Sequence, residues 1–214
     1  MTSNETREYW NAYYADSAPK SMPPSQFAAF ALGECCDHDF VLDIGCGNGR
    51  DAFFFGTFGK QVLGIDGSTA AIEKCREHAA ATGAGNVTFA SADVSSPELA
   101  ANAASALQAS QTPLIYSRFF IHAINEADEM KFLTFVRDHL GQGTLALEFR
   151  TVRDEELNKV TGGHYRRFVD PIAFTGRARD LGLETDYFVE GFGMAKYKQD
   201  DAYVARTLLK RASA

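Results

Sequence analysis

Three aspartates each close a short apolar run: Asp43 in "VLDIG", Asp66 in "VLGID" and Asp93 in "FASAD". Between the first two lies "GCGNG", with glycines at 45, 47 and 49, followed by Arg50. Bare backbone at a strand end lets a ligand approach without meeting Cβ atoms. The helix that follows offers free N–H groups and a positive dipole end. One strand-end Asp is usually a helix cap; three in succession beside a glycine turn point to a nucleotide-bearing ligand. The dinucleotide fingerprint G-x-G-x-x-G, begun at Gly45, requires glycine where this chain has Arg50. A carboxylate at Asp43 is also a poor neighbour for a pyrophosphate. These residues suit a ligand with an adenosine part, a cationic end and no phosphate. Asp66 then serves the ribose hydroxyls and Asp93 the adenine amino group.

A second set of reactive residues follows. His122 lies in "RFFIHAI", and "EFRTVRDEELNKVTGGHYRRF" carries Glu148, Arg150, His164, Tyr165, Arg166 and Arg167. An imidazole titrates near neutrality, so His122 or His164 is a candidate general base. Glu148 is a third base or the group that orients a histidine. Arg150 with Arg166 or Arg167 would hold an acceptor, since guanidinium forks suit carboxylate and phosphate. From Arg150 to Arg179 there are seven basic and four acidic residues, in a chain of formal net charge −7. That local reversal of sign favours an anionic or polyhydroxyl acceptor. The competing readings are a solvated basic loop and, for His122, a hydrogen-bonded core histidine.

The elements that position these groups alternate. "FVLDIG", "QVLGID", "NVTFASAD", "PLIYSR" and "GTLALEFR" read as strands. "GRDAFFFGTFG", "TAAIEKCREHAAATG", "SPELAANAASALQAS" and "ADEMKFLTFVRDHLG" read as the helices between them. Short apolar strands joined by helices imply a parallel sheet covered on both faces. Upstream, "ETREYWNAYYAD" has a helical aromatic stripe, and "SQFAAFALGECC" opens on a Ser25 N-cap. Downstream come a helix with Asp170 as N-cap and Pro171 at its first position, and two β-rich stretches expected to close the sheet as an antiparallel hairpin. No internal repeat or linker divides the 214 residues, so one domain is expected.

Charge and composition narrow the field. A net charge of −7 argues against broad nucleic-acid binding. No apolar run approaches the roughly 18 residues of a membrane helix, and the polar N-terminus is unlike a secretory signal. Cys35, Cys36, Cys46 and Cys75 match neither a disulfide framework nor a zinc site; reduced thiols in a cytoplasmic protein are expected. No metal is expected.

In this order and spacing, "LDIGCGNG", "VLGIDGS", "ASADV" and "LIYSRFFIHAI" resemble the class I S-adenosylmethionine-dependent methyltransferases, across nearly the whole chain. The resemblance implies a three-layer Rossmann-like α/β fold with a mostly parallel seven-stranded sheet and an antiparallel C-terminal strand. It implies S-adenosylmethionine as cofactor and S-adenosylhomocysteine as product. On this match Asp43 and Gly45 lie by the methionine end, and Cys46, Gly47, Asn48, Gly49 and Arg50 complete the turn. Asp66, Gly67 and Ser68 lie by the ribose, Asp93 and Val94 by the adenine, and Ser117 and Arg118 on the cofactor's other side. "YWNAYY" resembles an N-terminal helix that folds over bound cofactor, with Tyr9, Trp10 and Tyr14 as cover residues; a helix simply packed on the sheet is the alternative. The expected division is residues 1–36 as N-terminal cover helices, 37–150 as cofactor core, and 151–214 as acceptor segment and hairpin.

For the acceptor, the Asn-Pro-Pro-Tyr-like tetrad of amino-base methyltransferases is missing, and no Cys stands where C5-cytosine enzymes keep their nucleophile. "FFIHAI", "EFRT", "HYRRF" and "GMAKY" resemble small bacterial methyltransferases associated with glycan and surface-polysaccharide synthesis, some joined to glycosyltransferases. This implies O-methylation of a sugar, acidic or phosphorylated, at a chain end. "GCGNGRDA" also resembles the tellurite-resistance type, which implies a small-molecule or metalloid acceptor. A non-catalytic cofactor-binding domain of a larger assembly is the reading from another class.

Overall fold

A computed structural model describes residues 3–16, 23–157, 166–197 and 199–212. Its centre is β1 (Phe40–Ile44), paired in parallel with β2 (Gln61–Asp66) on one side and β4 (Pro113–Arg118) on the other. Adding β3 (Val87–Ser91), β5 (Thr144–Arg150), β6 (Leu183–Gly191) and β9 (Val204–Arg211) gives one seven-stranded sheet of order β3-β2-β1-β4-β5-β9-β6. The strand β9 runs antiparallel to both β5 and β6, so the C-terminal hairpin closes the sheet. The chain leaves β6 for a two-residue ladder, β7 (Lys196–Tyr197) with β8 (Asp200–Asp201), before it enters β9.

Successive strand side chains point to opposite faces, and the core divides accordingly. Leu42, Ile115, Leu145 and Leu147 pack with Leu99, Phe132, Val136 and Phe174 on one face. Val41, Tyr116 and Ala146 pack with Phe27, Phe55 and Ile72 on the other. The first face is covered by α5 (Pro97–Ala109), α6 (Glu126–His139) and α7 (Pro171–Asp180). The second is covered by α2 (Gln26–Glu34), α3 (Arg50–Thr57) and α4 (Thr69–Thr82). Because α2 buries Phe27, Ala28 and Ala31, it belongs to the core; only α1 (Ser3–Asp16) lies across the sheet edge.

Strands β2, β3 and β4 each hand over to a helix whose polar cap sits at the carboxyl edge of the sheet. The side chains of Ser68, Ser96 and Asn125 accept from Ala71, Glu98 and Asp128 backbone N–H groups. Such a cap contributes about 1 kcal/mol. The carboxyl edge therefore gathers helix N-termini and strand-end aspartates together.

Candidate active site

A crevice of about 1480 Å³ opens along this edge. Its cofactor half starts at the glycine turn, where Gly45 and Gly47 have φ of 76° and 53°. A Cβ at Gly45 would stand 2.7 Å from the Phe120 ring, and one at Gly47 would stand 2.3 Å from the Tyr14 hydroxyl. Only glycine fits both the backbone and the space. Asp66 closes the turn: its carboxylate accepts from Gly47 N–H at 2.9 Å and from Ser68 N–H at 2.8 Å.

Asp43 is 3% exposed. Burial, and then the neighbouring Asp51 and Asp66 carboxylates, push its carboxyl well above the usual range; Arg50 acts the other way. Burial likewise raises Asp66, against its two backbone hydrogen bonds. A buried acid crowded by like charges favours a cationic ligand. Asp43, Gly45, Cys46, Gly47, Asn48, Arg50, Asp66, Gly67, Ser68, Asp93 and Val94 all line the crevice. Asp93 also holds its own loop, accepting from Ser95 N–H at 2.8 Å. Gly49 is turned inward towards Cys75, Phe53 and Phe89. Burial pushes the Cys75 thiol up to about 12 and the Cys46 thiol well above its ordinary value, which disfavours the thiolate at both.

Over this half lies α1. Asn11 accepts from Ser68 Oγ at 3.2 Å and Ala70 N–H at 3.0 Å, so it caps α4 from outside. Lys74 Nζ donates to the carbonyls of Tyr14 and Ala15 at 2.6 and 2.8 Å, gripping the end of α1. Trp10, Tyr13 and Tyr14 line the crevice, whereas Tyr9 packs edge-on against Trp10 outside that lining. Asn11 and Lys74 belong to no reactive pattern, so nothing in the sequence marks them.

The acceptor half is built from the ends of β4 and β5 and the β7–β8 crossing. Phe119 has φ of 58°, left-handed backbone that costs a bulky residue about 1–3 kcal/mol. The Arg118 guanidinium lies 4.1 Å from its ring centroid, Arg150 lies at 5.5 Å, and His122 packs edge-on at 5.1 Å. Arg118, Phe119, Phe120, His122, Arg150, Arg166, Lys196, Tyr197 and Asp200 all line this half.

Several candidates are engaged elsewhere. Ser117 Oγ donates to the Ile44 carbonyl at 2.8 Å inside the sheet, away from the crevice. The Glu148 carboxylate, 1% exposed, accepts from Arg118 and Arg206, both at 2.8 Å, and does not orient a histidine. Arg150 donates to Asp154 at 2.6 Å and Asp200 at 2.5 Å. Arg167 turns towards α6, where it and Arg177 meet the buried Glu129. Among the described residues, Arg150, Arg167 and Arg177 of this basic stretch are thus paired with buried carboxylates. His164 and Tyr165 lie outside the described residues.

One buried network has no counterpart in the sequence reading. Asp51 accepts from Ser25 N–H at 2.7 Å, Ser25 Oγ at 2.8 Å and the Tyr116 hydroxyl at 2.9 Å. It ties the segment before α2 to the first turn after the glycines. Its only sequence signal was position, directly after "GNGR".

Residues 41–143 match the family described as a methyltransferase domain. A curated relative, the 2-heptyl-1-hydroxyquinolin-4(1H)-one methyltransferase of Mycobacteroides abscessus, is 40% identical over 58 residues; the match spans 27% of this chain and 26% of that protein. Among solved structures, an S-adenosylmethionine-dependent methyltransferase from Anabaena variabilis superposes with a TM-score of 0.70 at 20% identity, over 98% of this chain and 94% of that one. A glycopeptide N-methyltransferase complexed with sinefungin gives 0.68 at 16% identity, over 90% and 89%; it is also solved with S-adenosylmethionine. The structural likenesses establish the fold. With the family match they support S-adenosylmethionine as the cofactor.

Proposed function

We propose that this S-adenosylmethionine-dependent methyltransferase methylates a small acceptor on an oxygen that is already anionic or readily ionised. The cofactor supplies a methyl group on a sulfonium, with its leaving group activated. The chain's residues must hold the two partners in line, exclude water and deal with any acceptor proton. Asp43, the glycine turn, Asp66 and Asp93 would hold the cofactor, and α1 would cover it.

One observation carries the acceptor class. Three carboxylates near the acceptor half, Glu148 on β5, Asp154 in the turn after it and Asp200 on β8, are engaged by guanidinium donors: Glu148 by Arg118 and Arg206, Asp154 and Asp200 by Arg150. A carboxylate so engaged is poorly placed to take a proton from a neutral alcohol. Meanwhile burial, and then the Arg150 guanidinium, act against the charge on Arg166, while Asp154, Asp200 and Tyr9 favour it; an anion in the crevice would favour it further. Lys196 adds a second cation at the mouth. The acidic or phosphorylated glycan terminus read from the sequence falls within this class, as does an acidic N-hydroxyl of the kind the curated relative's name describes.

The test is release of S-adenosylhomocysteine on four acceptors: 2-heptyl-1-hydroxyquinolin-4(1H)-one, glucuronate, glucose and tellurite. Turnover of either acidic oxygen acceptor, with none on glucose, is expected. Preference for glucose contradicts the reading, and turnover of tellurite alone favours the metalloid alternative.

A further inference from the structure

The guanidinium groups around the acceptor half differ in how much of each fork is already used. Arg150 gives one Nη to Asp154 and the other to Asp200. Arg206 gives Nε to Glu148 and Nη2 to the Met194 carbonyl. Arg118 gives Nε alone, to the other Glu148 oxygen at 2.8 Å. Among the described residues its two Nη nitrogens have no hydrogen-bond or ion-pair partner, and neither is a buried polar atom. Arg118 lines the crevice with 18% of its side chain exposed, so the Nη edge opens there. Neutralising Glu148 does not account for it, because Arg206 already meets that carboxylate. Two guanidinium groups on one carboxylate leave a positive charge in excess.

The open fork is also held in one plane. Glu148, buried, fixes its Nε edge, and the Phe119 ring lies against the guanidinium at 4.1 Å. Among the described residues, Phe119 alone of the non-glycines has left-handed backbone, with φ of 58°. Glycine or asparagine would adopt that backbone at less cost, so the use of the ring lies in what it touches. Its backbone N–H still donates to the Glu148 carbonyl at 2.8 Å, and its ring packs against Ala195, Ala202 and Val204. A guanidinium stacked on a ring and anchored through Nε offers its two Nη groups as a preset pair of donors. That pair matches two oxygens of one anionic group.

We propose that the Nη edge of Arg118 binds the anionic group of the acceptor, and that Phe119 is the positioning residue that sets the plane of that edge. The group it takes is a carboxylate, a phosphate or an ionised hydroxyl beside a second oxygen. This deepens the acceptor reading above and rests on it. The resemblance to methyltransferases places Arg118 beside the cofactor, whose methionine part also carries a carboxylate. The chemistry is shared, and the arms of the experiment separate the two sources.

The experiment is phenylglyoxal labelling of the wild-type protein, with the rate at each arginine read by peptide mass mapping. The reagent condenses with guanidinium groups whose Nη edge is open. Arg118 is expected to label at least about 10-fold faster than Arg150, whose fork is held by charge-assisted hydrogen bonds. S-adenosylhomocysteine alone should leave the Arg118 rate unchanged. Adding glucuronate or 2-heptyl-1-hydroxyquinolin-4(1H)-one near saturation should then slow it about 10-fold, and glucose should not. Labelling of Arg118 as slow as that of Arg150 overturns the proposal, and so does protection by neither acidic probe. Full protection by S-adenosylhomocysteine alone assigns the fork to the cofactor and overturns it too. By calorimetry, Arg118→Lys and Phe119→Asn are each expected to weaken the protecting probe about 10-fold, with S-adenosylhomocysteine affinity kept. A purely structural Phe119 would lower the thermal midpoint and leave probe affinity unchanged, which sinks its positioning role. Should either variant not fold, the wild-type labelling still decides the role of Arg118. Protection without turnover of either acidic probe sinks the methylation reading alone, and turnover without protection sinks the Arg118 assignment alone.

Discussion

Burial, and then the neighbouring Asp51 and Asp66 carboxylates, raise the Asp43 carboxyl well above its ordinary range in the free protein, with Arg50 acting the other way. The sign of the linkage follows. Its folded pKa lies above the unfolded one, so the penalty for ionising it is absent below the ordinary carboxylate range. The penalty is complete once pH passes the raised value. A cationic ligand favours the carboxylate, so binding releases a proton and affinity climbs with pH through that interval. Asp43→Asn should therefore raise the thermal midpoint of the free protein at pH 8. It should also weaken S-adenosylmethionine about 10- to 100-fold, the loss of one charge-assisted hydrogen bond of about 1.5–3 kcal/mol. Thermal melts and calorimetry across pH check both; a destabilised variant with unaltered affinity would show Asp43 to be a core residue only. The place of Asp43, buried on a strand beside the glycine turn, was legible in the sequence. The fate of Arg150, Glu148 and Arg167 was not. A count of charges shows an excess of base and says nothing of which carboxylate each guanidinium finds. Their partners Asp200, Arg206 and Glu129 lie 38 to 58 residues away.

At the scale of elements, the parallel strands were readable because a strand buried on both faces appears as an unbroken apolar run. The helices between them were readable from their alternation with those strands, and the later α7 from its cap at Asp170. The β7–β8 ladder was not: two residues per strand carry no period. Nor was the register shift between Thr185 and Tyr187 in β6. The α1 helix was visible as an aromatic stripe, but its docking depends on Asn11 and Lys74. With α1 as the cover over the cofactor, removing the Asn11 carboxamide frees two donors at the start of α4. At about 1 kcal/mol each, Asn11→Ala should speed release of S-adenosylhomocysteine roughly 10-fold or more. The chain has a single tryptophan, Trp10, on α1 itself, so stopped-flow fluorescence reads this directly. An off-rate unchanged in both Asn11→Ala and Lys74→Met would mean that α1 is packed on the sheet without covering the ligand.

Across the whole molecule, one sheet carries two chemistries side by side. Strands β1 to β3 end in acids under a glycine turn, whereas β4 and β5 end in Arg118 and Arg150, whose guanidinium groups flank a strained Phe119, and the β6–β9 crossing supplies Asp200 to Arg150. The division follows the topology: the sheet reverses strand order between β1 and β4, and the crevice opens where it does. Everything proposed for the acceptor half presupposes that the acidic half holds a sulfonium donor. Calorimetry of the wild-type protein at pH 8 with S-adenosylhomocysteine, S-adenosylmethionine and NAD tests that claim most directly. The account predicts one site per chain for the first two ligands and no measurable heat with NAD. Binding of NAD in the micromolar range, or no binding of either sulfur ligand, would contradict it.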